Sequence, residues 1–436
     1  MQRVMVGALL LALAGCSQGG GGGAPLSAST AAGLQSATPT PLPSAATPAF
    51  VPPPPGDLTP ALRAEIARAF APQLRFNAYY DDGNHSAQNK NEDFFPMGVA
   101  SFLRELASGR PRVVTQPSVV GAAAPAVSVE QPVSGAASFT SARLDGYPKQ
   151  LVGDAPGSAP LYVHVYELPA LRRLAPDGSG ELVVYAEYWV FFAYDRCEAK
   201  VLNLIPTSGG ADIAGHRGDW EHTSYRLRVT LDAGAVVRGG AVEEGFFYGH
   251  DHAYSATAPE LELLDDAGQP SPAGRHPVVF VSQGKHASFP QAGEWQNSAV
   301  PTWLADHTDF FRGNGVWVET WRGDLFDLED PRAAPAEFAP PELGALLAAS
   351  GLQLQDWTEY LGRWGPDLAL SAAGVTLRIG LSPTGPKAKA DYGDFGGQGA
   401  QPTWTDAKLQ SPRLRVYRDL GITIPRAAPL PLPLRR

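Results

Sequence analysis

Leu182 to Tyr194 reads LVVYAEYWVFFAY, a run that is apolar or aromatic at odd and even positions alike. Successive side chains of a strand point to opposite sides, so this stretch has to be covered on both of them. It therefore belongs at the centre of a sandwich. With 47 Gly, 41 Pro and only 18% charged residues in 436, the chain suits short strands joined by long turns better than a helical bundle. The expected fold is mainly β, a β-sandwich with peripheral short helices and long loops.

Other elements follow in order. Thr59-Pro60 opens a helix, with Thr59 as cap and Pro60 at the first helical position, and Leu62, Ile66, Ala69 and Phe70 recur on one face. LRFN after it starts as a strand, and Val99 to Ala107 reads as a short helix. Residues 110 to 158 are weakly patterned, as an insertion or edge region is. Leu161 to Leu168, His222 to Thr230, Phe246 to His250 and Pro277 to Gln283 read as strands. Later, Pro341 to Ser350 reads as a helix, while Val375 to Ile379 and Leu414 to Tyr417 are expected to add edge strands. Residues 58–424 are taken as one large domain with insertions, and 425–436 as a loose tail. No phosphate-cradling glycine motif occurs.

Chemistry concentrates in Gly215 to Arg228, GHRGDWEHTSYRLR, where His216, Asp219, Glu221 and His222 fall within seven residues. On a strand Asp219 and Glu221 share one face, and Trp220 and His222 the other. Two carboxylates so close repel unless a cation, an arginine or a proton intervenes. With His216 one tight loop earlier, they form a candidate site for a divalent ion, Ca²⁺ or Mg²⁺ rather than Zn²⁺. The structural alternative has Arg217 or Arg226 neutralising the acids around a core Trp220. Two more strand ends deliver His250 and His252, and His286 in GKHAS, and loops at one end of a sandwich can converge on a shared site. Asp81, Asp82, Asn84 and His85 are better read as turn chemistry.

The acidic balance, 34 Lys plus Arg against 44 Asp plus Glu, excludes a nucleic-acid partner. At the N-terminus Arg3 precedes an apolar run, Val4 to Ala14, too short to span a bilayer comfortably. It ends in Leu13-Ala14-Gly15-Cys16, which resembles the lipobox of bacterial lipoprotein signals. The resemblance implies cleavage after residue 15, a lipid on Cys16, and residence in the cell envelope, at the outer membrane of a Gram-negative cell given Ser17. Cys16 and Cys197 are the two cysteines, so a lipidated Cys16 leaves no intrachain disulfide. Residues 16–57, with Gly19 to Gly23 and Pro52 to Pro55, have the composition of a flexible tether.

GHRGDWE (Gly215 to Glu221) resembles the GHRHDWE heptapeptide of the necrosis-inducing, NPP1-like proteins. GDWEH (Gly218 to His222), VVFVSQGKHASFP (Val278 to Pro290) and LGRWG (Leu361 to Gly365) together resemble the Vps62-type domain, over about residues 160 to 370. NPP1-like proteins are secreted β-sandwich cytolysins whose heptapeptide binds a divalent cation used to recognise sphingolipid head groups. Carried over by position, the resemblance implies His216, Asp219 and Glu221 as ligands. Two positions depart from it. The motif's central His is Gly218, and a further acidic ligand would fall on Ser208, leaving Asp212 as a loose substitute. The expected function is a surface-tethered lipoprotein binding a lipid or glycan head group through a divalent cation. The alternatives are a metal-dependent hydrolase of unknown substrate, with a proton-managing histidine such as His286, and a non-catalytic structural or interaction protein. Oligomeric state is not legible.

Overall fold

The computed structural model of the chain describes residues 58–77, 95–102, 153–167, 171–195, 216–249, 252–282, 286–296 and 315–330, with shorter stretches between and after them. Of His216, Arg217 and His252 it describes the backbone alone. The fold is mainly β, as the composition and the doubly apolar run lead one to expect.

Thr59 caps helix α1 (Pro60–Phe70), its Oγ1 accepting from Leu62 N at 3.2 Å. The helix buries Ile66, Ala67 and Phe70 and leads into β1 (Gln73–Asn77). The larger sheet has seven strands. They are β2 (Leu161–Glu167), β3 (Arg173–Leu174), β4 (Gly180–Asp195), β5 (His216–Leu231), β6 (Val237–Gly249), β7 (His252–Thr257) and β12 (Leu325–Asp327), in the order β7-β6-β5-β4-β2-β12, with β3 paired to β4. The five-stranded sheet joins β8 (Leu263–Leu264), β9 (His276–Val281), β1 and β11 (Gly315–Glu319) in that order, with β10 (Ser288–Phe289) paired to β9.

The doubly apolar run is β4, and it lies between β2 and β5 with both faces buried. One face makes the core between the sheets. Val184, Ala186, Tyr188, Val190 and Phe192 pack there with Leu74 and Phe76 of β1 and Val279 and Val281 of β9. Phe76 meets Phe192 edge-on at 6.3 Å, and the Tyr188 hydroxyl donates to Ala67 O at 3.0 Å, tying α1 to the sheet. The other face carries a second aromatic layer, in which Phe191 touches Phe102 at 4.9 Å, Trp220 at 4.9 Å and Trp364 at 5.5 Å. Phe102 ends the four helical residues 99–102, the described part of the helix expected there.

Within the weakly patterned residues 110 to 158 lies a separate paired hairpin, Arg112–Gln116 with Ala126–Glu130, whose short VV and AV runs carry little contrast in the sequence. One expectation needs correction. Val375–Gly380 pairs with Leu368–Ala372 as a separate hairpin and does not extend either large sheet, because its partner is the strand just before it. Residues 341–344, 346–350 and 414–417 lie outside the described residues.

The start of β5 depends on Gly218. Its φ is +64°, and a Cβ built there would stand 2.4 Å from Trp364 Cβ and 2.9 Å from Trp364 O. An alanine adds left-handed strain to a backbone clash, so Gly218→Ala should lower stability by about 2–4 kcal/mol. Urea unfolding checks this; an unchanged midpoint would show that the strand end tolerates a side chain.

Candidate functional site

β5 runs antiparallel to β4 in unbroken register, placing Asp219 opposite Phe192, Trp220 opposite Phe191 and His222 opposite Trp189. Alternation then divides the motif as the sequence implies. Trp220 turns into the aromatic layer against Phe191, Tyr162 (5.2 Å) and Trp364 (5.9 Å), fully buried. Asp219 turns toward the core between the sheets and is 1% exposed. A carboxylate there demands a partner, since an unpaired buried charge costs several kcal/mol.

That partner comes from the smaller sheet. After β9 the chain closes a tight loop, in which Ser282 N donates to Ala287 O at 2.9 Å and His286 N to Ser282 O at 3.1 Å. The loop holds His286 at φ +60°, rare for a residue with a side chain. Its imidazole lies flat on Phe192, centroids 3.8 Å apart and planes within 3°. Its Nδ1 comes to 3.4 Å from Asp219 Oδ2, and both residues are almost wholly buried. Phe192 thus lies opposite Asp219 in register and under His286 in space.

Glu221 is half-buried two positions on. His222 serves the core, sandwiched between Trp189 and Tyr248 at 3.9 Å each. Arg226 forms an ion pair with Glu243. His216 opens β5 opposite Asp195, and His252 opens β7 opposite Gly249; their side chains, and the whole of Cys16, Asp81, Asp82, Asn84, His85, Asp212 and His250, lie outside the described residues. Among the described residues no three His, Cys, Asp or Glu side chains gather closely enough to hold a metal ion. Asp219 and His286 therefore offer two donors, short of the six to eight oxygens Ca²⁺ takes. At 3.4 Å the contact is a long hydrogen bond between imidazole and carboxylate, which gives the buried acid its partner.

The other face of the same sheet holds a polar cluster outside the GDWEH motif. The registers align Tyr162, Trp189 and His222 in one row across three strands, with Tyr248 stacked on His222, and His164, Glu187, Ser224 and Phe246 in the next row across four. Glu187 is fully buried, and its Oε2 accepts from Trp189 Nε1 at 3.1 Å and meets His164 Nδ1 at 3.1 Å. His164 Nε2 faces Glu329 Oε1 at 3.9 Å. A buried carboxylate that orients an imidazole is the geometry of an oriented base. The sequence did carry a signal for it: Glu187 is the one charged residue inside LVVYAEYWVFFAY, and a charge in a doubly buried strand has to be paired.

Comparison with protein families, with curated proteins and with solved structures finds no match for this chain.

Removing the carboxylate of Glu187 strands His164 and the Trp189 N–H in the interior. Glu187→Ala should cost about 3–5 kcal/mol, and Glu187→Gln, which keeps an acceptor, clearly less. Denaturant titration of the two variants checks the order; equal losses would mean that only side-chain volume matters there.

Proposed function

We propose that this chain is a lipid-anchored binding protein of the bacterial envelope, tethered through Cys16, which recognises a lipid or glycan head group through a divalent cation at the Asp219–His286 end of its sandwich. One observation carries the reading: Asp219 of β5 and His286 of the loop after β9, 67 positions apart, meet at 3.4 Å in a buried place. Backbone strain at a non-glycine residue persists only where its surroundings hold it, and such residues cluster at ligand clamps. His286 is one.

In this arrangement Asp219 and His286 would hold the ion, with Glu221, on the Asp219 face, as a further donor. The ion would supply positive charge for an anionic or polyhydroxylated head group. Phe192 fixes the plane of His286, so the nitrogen is oriented before any ligand arrives.

Calorimetric titration of Ca²⁺, Mg²⁺ and Zn²⁺ into the chelator-stripped chain tests this. The expected result is saturable binding of Ca²⁺ or Mg²⁺, weaker Zn²⁺ binding, and loss of at least about tenfold in affinity for the bound ion in Asp219→Ala and His286→Ala. Titration heats no larger than dilution, with the circular dichroism of the folded chain retained, would leave Asp219–His286 as a buried hydrogen bond and remove the cation from the function. Given Ca²⁺ binding, vesicles carrying sphingolipid head groups should retain the chain with Ca²⁺ and release it with chelator.

A further inference from the structure

A second binding surface lies on the smaller sheet, facing away from this site. Along β1, Leu74 and Phe76 enter the core between the sheets, so Arg75 turns outward. Register places Arg75 beside Phe280 of β9 and Trp317 of β11. The guanidinium lies between the two rings, 5.4 Å from the Phe280 centroid and 4.3 Å from that of Trp317. The three residues form one row across three strands, ending on the edge strand β11.

Exposure gives the order of the layers. Arg75 is 8% exposed and Phe280 5%, yet Trp317 is 53% exposed. Trp317 therefore covers the arginine on the solvent side, with about half of its own surface open to water. Trp317 and Val236 are the exposed large hydrophobic residues among those described. The roof is also rigid. Arg75 Nε donates to Gln73 Oε1 at 2.8 Å, and its terminal nitrogens donate to the two Glu262 oxygens at 2.6 and 3.1 Å. Such a bidentate pair fixes the plane of the guanidinium, and the guanidinium fixes the indole above it.

The rim is polar but internally neutralised. Glu262 is committed to Arg75, and Glu319, two positions from Trp317 on the same face of β11, is committed to Arg322 at 2.6 Å. Among the described residues an anionic lipid surface finds no unpaired basic cluster here, and a charged peptide would have to break an existing pair. A flat ligand without charge meets no such cost. Its C–H face can lie on the indole while hydroxyls donate to the remaining lone pairs of Glu262 and Glu319. We propose that the Trp317 face of β11 binds a neutral sugar ring of a glycan, without a metal ion. Because the ring is held in advance, binding orders little protein. This surface goes beyond the cation reading and stands without it, since the two sites lie on opposite faces of the smaller sheet.

The test is an array of neutral oligosaccharides probed with the full chain in chelator, with calorimetric titration of the sugars retained. The expected outcome is saturable binding that persists in chelator, falls at least about tenfold in Trp317→Ala and is largely kept in Trp317→Phe. Trp317→Ala also removes the ring over Arg75 and should lower the unfolding midpoint, so its sugar titrations are run where circular dichroism shows it folded, and Trp317→Phe, which keeps a ring over Arg75, is the stability-matched control. No neutral sugar retained in a Trp317-dependent way would overturn the proposal. So would a Trp317→Ala variant that loses vesicle binding in chelator but keeps its sugar affinity. Calcium-dependent retention abolished by Asp219→Ala but untouched by Trp317→Ala would support the first site alone and reject this one.

Discussion

The long pairing of β4 with β5 is the constraint on which the rest depends. Fifteen residue pairs run in unbroken register from Gly180 with Leu231 to Asp195 with His216. A slip of one residue would exchange the faces of every side chain in β5. Trp220 would enter the core between the sheets, and Asp219 would be driven among Phe191, Trp364 and Phe102. The register is costly to change because β4 is buried on both faces. It therefore sets both polar clusters at once, Asp219 with His286 on one side and Glu187 with His164 on the other.

The stretches singled out by motif meet around the first turn of β5. Gly218 is pressed against Trp364, Trp220 packs on the same indole, and Asp219 reaches His286 through the sheet's other face. Residues 218, 286 and 364 are far apart in sequence, so their meeting is a property of the fold. It also accounts for the glycine where the heptapeptide it resembles has histidine. With φ at +64° and the Trp364 backbone against it, this position has no room for an imidazole.

The elements with strong periodicity were legible in the sequence. LVVYAEYWVFFAY announced a central strand, Thr59-Pro60 announced α1, and the alternation in GDWEH divided Asp219 from Trp220 correctly. Partner choice was not legible. Nothing local says that Asp219 finds His286 across the sandwich, since that depends on the parallel alignment of β1 with β9 and on a loop that takes His286 to positive φ. Arg226 shows the same limit. Its spacing from Asp219 offered it as a counter-ion, but as an even-numbered residue of β5 it faces away from the acid and pairs with Glu243. His164 and Glu187 were hidden for another reason. Each sits singly in an apolar strand, and only the register of β2 with β4 makes them neighbours.

One construction recurs wherever a histidine side chain is described. His286 lies on Phe192, His222 on Trp189 and Tyr248, His276 on Trp321 at 3.9 Å and His164 against Tyr166 at 5.0 Å. Stacking excludes water from the ring faces and leaves the edge nitrogens to make directed contacts, to Asp219, to Glu187 and, for His276, to Ala71 O at 2.7 Å. The energetic consequence is visible at His276, where burial pulls the imidazole below its ordinary pKa despite the nearby Asp266 carboxylate. Its neutral form is the one the fold prefers, so falling pH through the usual histidine range opposes the folded state there. Arg75 between Phe280 and Trp317 uses the same layering with a group that cannot lose its proton, and its charge is met by Glu262 in the guanidinium plane. Rings above and below, with ionic partners in the plane, allow a mainly β core to carry polar groups at fixed positions. Such fixed groups are what binding sites are made from.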